Sequence, residues 1–487
     1  MASFRSEFLS GTFYIAIAKY AGLASQLVIS AILARLLTPS DFGVIAIATV
    51  LIAFFNILSD VGIGVAVIQR KDLTDRDLNH LFSVNIYIGV FLSVLFFSAS
   101  GIISDYYDNE QLLNVCRLLS LLILFTCART VPMNMFYREK QFKYVAFTNL
   151  SVQLISGIAA IFAALAGWGV YALVLSQVMS AFLLLIIYML KNKWHFYFNV
   201  DFSPLKRIFS YSIYNFFSTV FCYFTLNIDK LLVGKYTGTQ ALGYYEKSYR
   251  LVFLPITNLT FVITPVLHPL FSEFQNDFKG LLSRYLKIIQ VFAYISFPLS
   301  IACFFLAKEL IMIFFGGQWG EAVIPFKIMS LAISFLILDT TVGSIFNAAN
   351  ETKRGFYTTV IMSLIMIVSV SVAIYVWNTI IAVAFAFLIA KILATLVNFY
   401  SLMQGLNSCF SQFLSILIRP FVISSITFAI MLCFTRVCTF DNVIVSLIVK
   451  SVVWLITTLV FVQLMSGYNI YNISKQKISE FSNKRNS

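Results

Sequence analysis

The chain has 487 residues, of which 60% are hydrophobic and only 11% charged. Seven cysteines stand singly, without CxxC or Cys/His spacing, which argues against a zinc centre or a disulfide framework. The net charge of +13 falls in short segments between apolar runs or inside them, not on a soluble face, so no nucleic-acid partner is expected.

The apolar runs approach the roughly 20 residues that cross a bilayer, and they predict an all-α integral membrane protein of about 14 transmembrane helices. The first run, 11–37, is too long for a signal-peptide core and is expected to be retained. Further spans are expected at 41–68, 79–103, 112–137, 146–167, 169–190, 208–234, 244–271, 283–307, 322–347, 354–377, 379–403, 413–435 and 441–466. Basic residues gather in alternate connections, among them Arg70, Lys71 and Arg76, then Arg138, Lys140 and Lys143, then Lys353 and Arg354. The intervening connections hold Lys235, Lys308 and Arg436, and one of them, Asp105–Glu110, is acidic. Lysine and arginine accumulate on the cytoplasmic side, so a multi-pass protein with both termini cytoplasmic is expected.

Leu37–Gly43 aligns with Thr237–Gly243 at an offset of 200 residues, each stretch following the first helix of a six-helix run. The repeat predicts two six-helix bundles in a pseudo-twofold arrangement, 1–190 and 208–405, joined by a polar cytoplasmic linker at 191–207. Two additional transmembrane helices within 406–466 and a basic cytoplasmic tail at 467–487 follow. Parallel repeats of this kind are common in transporters, with the substrate site between them.

Leu33-Ala-Arg-Leu-Leu-Thr-Pro-Ser-Asp-Phe-Gly43, Ser59-Asp-Val-Gly-Ile-Gly-Val-Ala-Val-Ile-Gln-Arg-Lys71, Asn227-Ile-Asp-Lys-Leu-Leu-Val-Gly234, Ala241-Leu-Gly-Tyr-Tyr245 and Pro269-Leu-Phe-Ser272 carry a family resemblance. Together they resemble the polysaccharide transport branch of the multidrug/oligosaccharidyl-lipid/polysaccharide exporter superfamily, in particular its O-antigen and colanic-acid repeat-unit flippases. The resemblance implies a bacterial inner-membrane protein, not an enzyme. It would carry an undecaprenyl-pyrophosphate-linked oligosaccharide from the cytoplasmic to the periplasmic leaflet. Membrane lipids and the polysaccharide polymerase and chain-length machinery are candidate partners on that reading.

Charges inside spans supply a physical argument beside the resemblance. Lys391, Arg250, Arg129 and Lys19 fall within predicted helices, where each costs on the order of 2.5–3.5 kcal/mol at the bilayer centre. They are expected to line a wet cavity and meet a pyrophosphate or an acidic sugar; the alternative is snorkelling or local pairing. Asp339, Asp60 and Asp229 are candidates for coupling transport to H+ or Na+, against the plainer reading of structural partners for nearby cations. No cofactor or metal is expected. Pro132, Pro255, Pro265, Pro269, Pro298, Pro325 and Pro420 fall within or at the ends of spans, where they favour kinks. Trp168, Trp194, Trp319 and Trp377 are expected in the interfacial aromatic belt. Two competing functions stay open: a drug or cation antiporter of the same superfamily, and a membrane enzyme polymerising or ligating lipid-linked sugars. An antiporter of cations would favour a carboxylate-lined cavity. An enzyme would want a polar outer loop and an acid/base constellation, neither of which the sequence displays.

Overall fold

The structure is a computed structural model that describes residues 2–59, 63–70, 72–191, 194–198, 201, 223–272, 278–349 and 351–465. Asp60, the first part of the predicted span 208–234, and the tail at 467–487 lie outside the described residues. Among the described residues every regular element is helical. In chain order these are α1 (Ala2–Leu36), α2 (Pro39–Ser59), α3 (Ile63–Gln69), α4 (Asp75–Tyr107), α5 (Glu110–Arg138), α6 (Phe142–Leu165) and α7 (Val170–Leu190). There follow α8 (223–236), α9 (Thr239–Ser272), α10 (Phe278–Phe305), α11 (Ala307–Phe314) and a 3-10 turn, Gly317–Ala322. The remainder comprises α12 (Val323–Ser330), α13 (Ile333–Asp339), α14 (Val342–Ala348), α15 (Thr352–Trp377), α16 (Ile380–Gly405), α17 (Phe410–Val437) and α18 (Val443–Met465).

Among the described residues, 11 helices are long and apolar enough to cross a membrane, or up to 12 with one bent pair. The expected order of spans matches these elements, but the expected count of fourteen is not reached on them. Two expected spans differ in form. The run at 41–68 is divided between α2 and α3. The run at 322–347 is broken, with Gly317–Ser330 and Ile333–Phe346 bent by 51°. Neither proline nor glycine stands at the bend. Instead the Ser334 amide donates to Ser300 Oγ at 2.9 Å, so a helical N–H is drawn off to a neighbouring helix.

The chain forms two compact units: Met1–Glu246 with Phe314–Gln318, and Lys247–Ile313 with Trp319–Ser487. In the first, α5 packs against α4 and α7, and α1 against α6. In the second, α15 pairs with α16, and α10 with α13 and α17.

The Leu-Thr-Pro-Ser-Asp-Phe-Gly motif acquires a physical meaning at the start of α2. Thr38 caps the helix: its hydroxyl accepts from the Asp41 amide at 3.3 Å, while Asp41 Oδ2 accepts from the Thr38 amide at 2.9 Å. This reciprocal box, with proline at the first helical position, is a strong start signal. Its repeat partner lies directly against it. Ser40 Oγ and Thr239 Oγ1 share a hydrogen bond of 2.9 Å. A Cβ on Gly43 would lie 1.7 Å from the Thr239 carbonyl oxygen, and a Cβ on Gly243 would lie 1.9 Å from that of Pro39. The two repeated stretches therefore touch reciprocally, backbone on backbone, with each glycine against the residue that starts the other helix.

The same end of the first unit carries a second tie, between the acidic turn and α8: Lys235 Nζ lies 2.8 Å from Asp108 Oδ2. At the opposite end, Arg138 donates to the carbonyls of Val67 and Leu73, at 3.5 and 3.3 Å. The segment after α7 runs along α4 nearby. The amides of His195, Tyr197 and Asp201 donate to Asn79 Oδ1, Ser83 Oγ and His80 Nδ1 at 3.0, 2.9 and 3.3 Å. His80 stacks on Tyr197 with centroids 4.5 Å apart.

Because no side chain fits at the reciprocal contact, Gly43→Ala and Gly243→Ala should each destabilise the protein by about 1–3 kcal/mol, the usual cost of overpacking. Gly101, where an added Cβ would meet nothing within 4 Å, is the control: Gly101→Ala should be neutral or slightly stabilising. Thermal unfolding in detergent compares the three, and equal melting temperatures would dismiss the contact as a structural determinant.

Candidate functional site

Among the described residues, the first unit contains three of the charged positions expected to matter. Lys19 on α1 and Arg129 on α5 are half-buried. Arg129 interacts electrostatically with Tyr137 and Tyr188 and has no hydrogen-bonding or ion-pair partner among the described residues. Asp229, by contrast, is fully buried and accepts a 2.7 Å hydrogen bond from the Tyr245 hydroxyl. Its sequence neighbour Lys230 turns to a different partner, Glu246, with Nζ 2.9 Å from Oε2. Successive helical residues point about 100° apart, and here the two adjacent charges on α8 engage two adjacent residues of α9.

In the second unit, Asp339 ends α13, next to the second interruption of the broken span. Its carboxylate accepts from Thr395 Oγ1 at 2.9 Å and Asn398 Nδ2 at 3.2 Å, both on α16. Lys391, one turn earlier on α16, acts on this carboxylate electrostatically, and its ammonium lies 5.6 Å from the centre of the Phe387 ring. Tyr249 meets the same ring at 5.9 Å, so α9 next to the half-buried Arg250 packs on the α16 turn that carries Lys391. The structure thus brings Asp339 and Lys391 together. Hydroxyls and amides continue the polar layer: Tyr285 and Thr341 share a hydrogen bond of 3.1 Å, and Thr358 donates to Ser401 at 2.7 Å.

Two cations of the second unit, and the carboxylate that pairs with one of them, escaped the sequence reading. Lys247 is only 1% exposed, with its ammonium 5.4 Å from the Trp319 ring centre, a cation–π contact that offsets part of its desolvation. Trp319 is fully buried, so it does not serve in the aromatic belt, whereas Trp168 and Trp377 are exposed as a belt requires. The other is Lys450, well inside α18, whose ammonium lies 2.5 Å from Glu309 Oε1, an oxygen that also accepts from Ser446 at 2.6 Å. With the Trp454 indole donating to the Pro298 carbonyl at 2.9 Å, this pair fixes α18 to α10 and α11. Lys450 had the same signal as Lys391, a cation deep in an apolar run. Lys247 stood too near the expected start of its span to register.

A model of the family described as polysaccharide biosynthesis protein matches residues 32–324. The chain belongs to this family. Among similar proteins is the teichuronic acid biosynthesis protein TuaB of Bacillus subtilis (strain 168), 27% identical over 87% of this chain and 88% of that protein. The lipopolysaccharide biosynthesis protein WzxC of Escherichia coli (strain K12) is 22% identical over 87% and 86%. In fold, the chain is similar to the lipid II flippase MurJ in its inward closed conformation, with TM-score 0.73 at 16% identity over 92% of this chain and 98% of that one. The resemblance read from the motifs, to a polysaccharide transport protein and not an enzyme, agrees with these findings.

The Glu309–Lys450 pair offers a stability test. Lys450→Met leaves a carboxylate buried without its cation and should cost about 3–5 kcal/mol. The double replacement Glu309→Gln with Lys450→Met should recover much of that loss in a thermal double-mutant cycle. Additive losses would show that the two groups do not act as a pair.

Proposed function

We propose that this protein carries a polyprenyl-pyrophosphate-linked oligosaccharide across the bacterial inner membrane by alternating access, supplying repeat units for a surface polysaccharide. The observation that carries this reading is Arg129: a guanidinium within a membrane-spanning helix, half-buried and without an acidic partner among the described residues. A cation in that position gains most from an anionic ligand, and guanidinium is well suited to hold phosphate oxygens in pairs. Family membership supports the same substrate class. Lys391, Arg250 and Lys19 are the further cations proposed to meet the pyrophosphate or acidic sugars, while the prenyl chain stays in lipid.

Asp339 is the group proposed to couple the cycle to H+ or Na+. Its hydrogen-bond partners Thr395 and Asn398 are neutral, and the cation that acts on it, Lys391, is itself proposed to meet substrate, which would link ion binding to substrate binding. Asp229, fully buried under the Tyr245 hydroxyl, is assigned a structural role instead.

The test uses a bacterial host deleted for its own repeat-unit flippase but keeping the matching transferases and polymerase. Wild-type protein should restore surface polysaccharide and relieve accumulation of the lipid-linked unit on the inner leaflet. Arg129→Gln should weaken ligand binding by about 2–5 kcal/mol, more than tenfold, and Arg129→Lys should retain part of the activity. Full export by normally inserted Arg129→Gln and Lys391→Gln variants would overturn the cationic reading. If the unit reaches the outer leaflet without this protein and merely stays unpolymerised, the transport reading itself fails.

A further inference from the structure

The first turns of α15, with Glu351 just before them, and the last turns of α16 line an open cavity of about 500 Å³ that the proposed transport site does not use. Its volume falls in the range of small-molecule sites, roughly 300–1,000 Å³. Two cations, Lys353 and Arg354, line it against one carboxylate, Glu351. Glu351 is already engaged, with Oε2 accepting from Arg354 Nε at 3.3 Å. Arg354 Nη1 donates to Gln404 Oε1 at 3.4 Å, and Gln404 Nε2 donates to the Tyr400 hydroxyl at 2.7 Å. Only two of the five guanidinium N–H groups are thereby used. Lys353 is exposed and has no partner among the described residues.

The wall of the cavity passes directly into an apolar stripe. Tyr357 and Ile361 line the cavity and begin a row on α15 that continues through Leu364, Val368 and Val372, each about half-exposed. Spacings of three and four residues keep these side chains on one helix face. A site for a free anion has no need of such a stripe. A ligand with a phosphate at one end and hydrocarbon at the other fits both parts, since two basic side chains would face its head and α15 its chains.

We propose that this cavity is a regulatory or anchoring site for an anionic phospholipid, whose phosphodiester sits between Lys353 and Arg354 and whose acyl chains run along Tyr357, Ile361 and Leu364. The surplus positive charge selects a head group without an ammonium. The site is independent of the transport reading and needs no substrate to be occupied.

The full-length protein in detergent is titrated with phosphatidylglycerol, phosphatidylcholine, inorganic phosphate and a short polyprenyl pyrophosphate, with thermal shift and native mass spectrometry as readouts. Phosphatidylglycerol should raise the melting temperature and be retained in the gas phase, while phosphatidylcholine and inorganic phosphate should do neither. At about 1 kcal/mol for each basic side chain near a lipid surface, Lys353→Gln should weaken retention roughly fivefold, and Lys353→Gln with Arg354→Gln roughly 25-fold. Replacing Lys140 and Lys143 by glutamine should leave retention unchanged. Lys353 has no intramolecular role to lose, so K353Q reports on the site even if removal of Arg354 loosens the turn. Undiminished retention in K353Q overturns the proposal. So does a thermal shift by inorganic phosphate equal to that of the lipid, which would make this a soluble-anion site. Displacement of phosphatidylglycerol by the prenyl pyrophosphate would assign the cavity to the transported substrate and overturn it equally.

Discussion

A charge or an unpaired amide inside hydrocarbon costs several kcal/mol, and the placement of the buried charges described above answers to that constraint. The answers differ in kind. Glu309 and Lys450 neutralise each other. Lys247 lies over an indole face, and Asp229 under a phenol. Asp339 is held by an alcohol and an amide. Arg129 stands apart because its described surroundings are phenols, which leave its charge uncompensated.

The repeated stretches show a second use of the same economy. Thr38 and Asp41 receive each other's amides at the start of α2, so two donors of that helix end are satisfied locally. The capped end then approaches Thr239 closely enough to exclude a methyl group, and Gly243 admits Pro39 in return. An offset of 200 residues that was only an alignment in the sequence becomes a physical contact between the two copies. The motif residues are accounted for one by one: threonine and aspartate for the cap, proline for the first turn, glycine for the approach.

Helix positions were legible because apolar run length and bilayer thickness leave few alternatives. The interruptions were not. Nothing in Met329-Ser-Leu-Ala-Ile-Ser334 announces a bend, since its cause is a serine hydroxyl on α10 that captures a backbone amide. Partner choice was equally hidden. Glu309 and Lys450 are 141 residues apart, and neither carries a local signal naming the other. Asp339 and Lys391 were both marked from their positions in apolar runs, but only the fold shows that Asp339 faces the turns of α16 that follow Lys391. Trp319 illustrates the reverse error: tryptophan near a span end usually sits at the interface, and here a buried lysine claims it.

The segment that leaves α7 is held to α4 through its own amides, at His195, Tyr197 and Asp201, while the recognising groups all belong to α4. Three of its side chains also rest on α4, Trp194 against Phe82, Phe196 against Tyr87 and Tyr197 against His80, so the path depends on rings at those positions as well. Away from those ring contacts the path asks only for backbone donors, and proline at His195, Tyr197 or Asp201 would delete one. A residue such as His195, whose contribution is an amide, could change without altering the route, provided Asn79, His80 and Ser83 stay to receive the backbone.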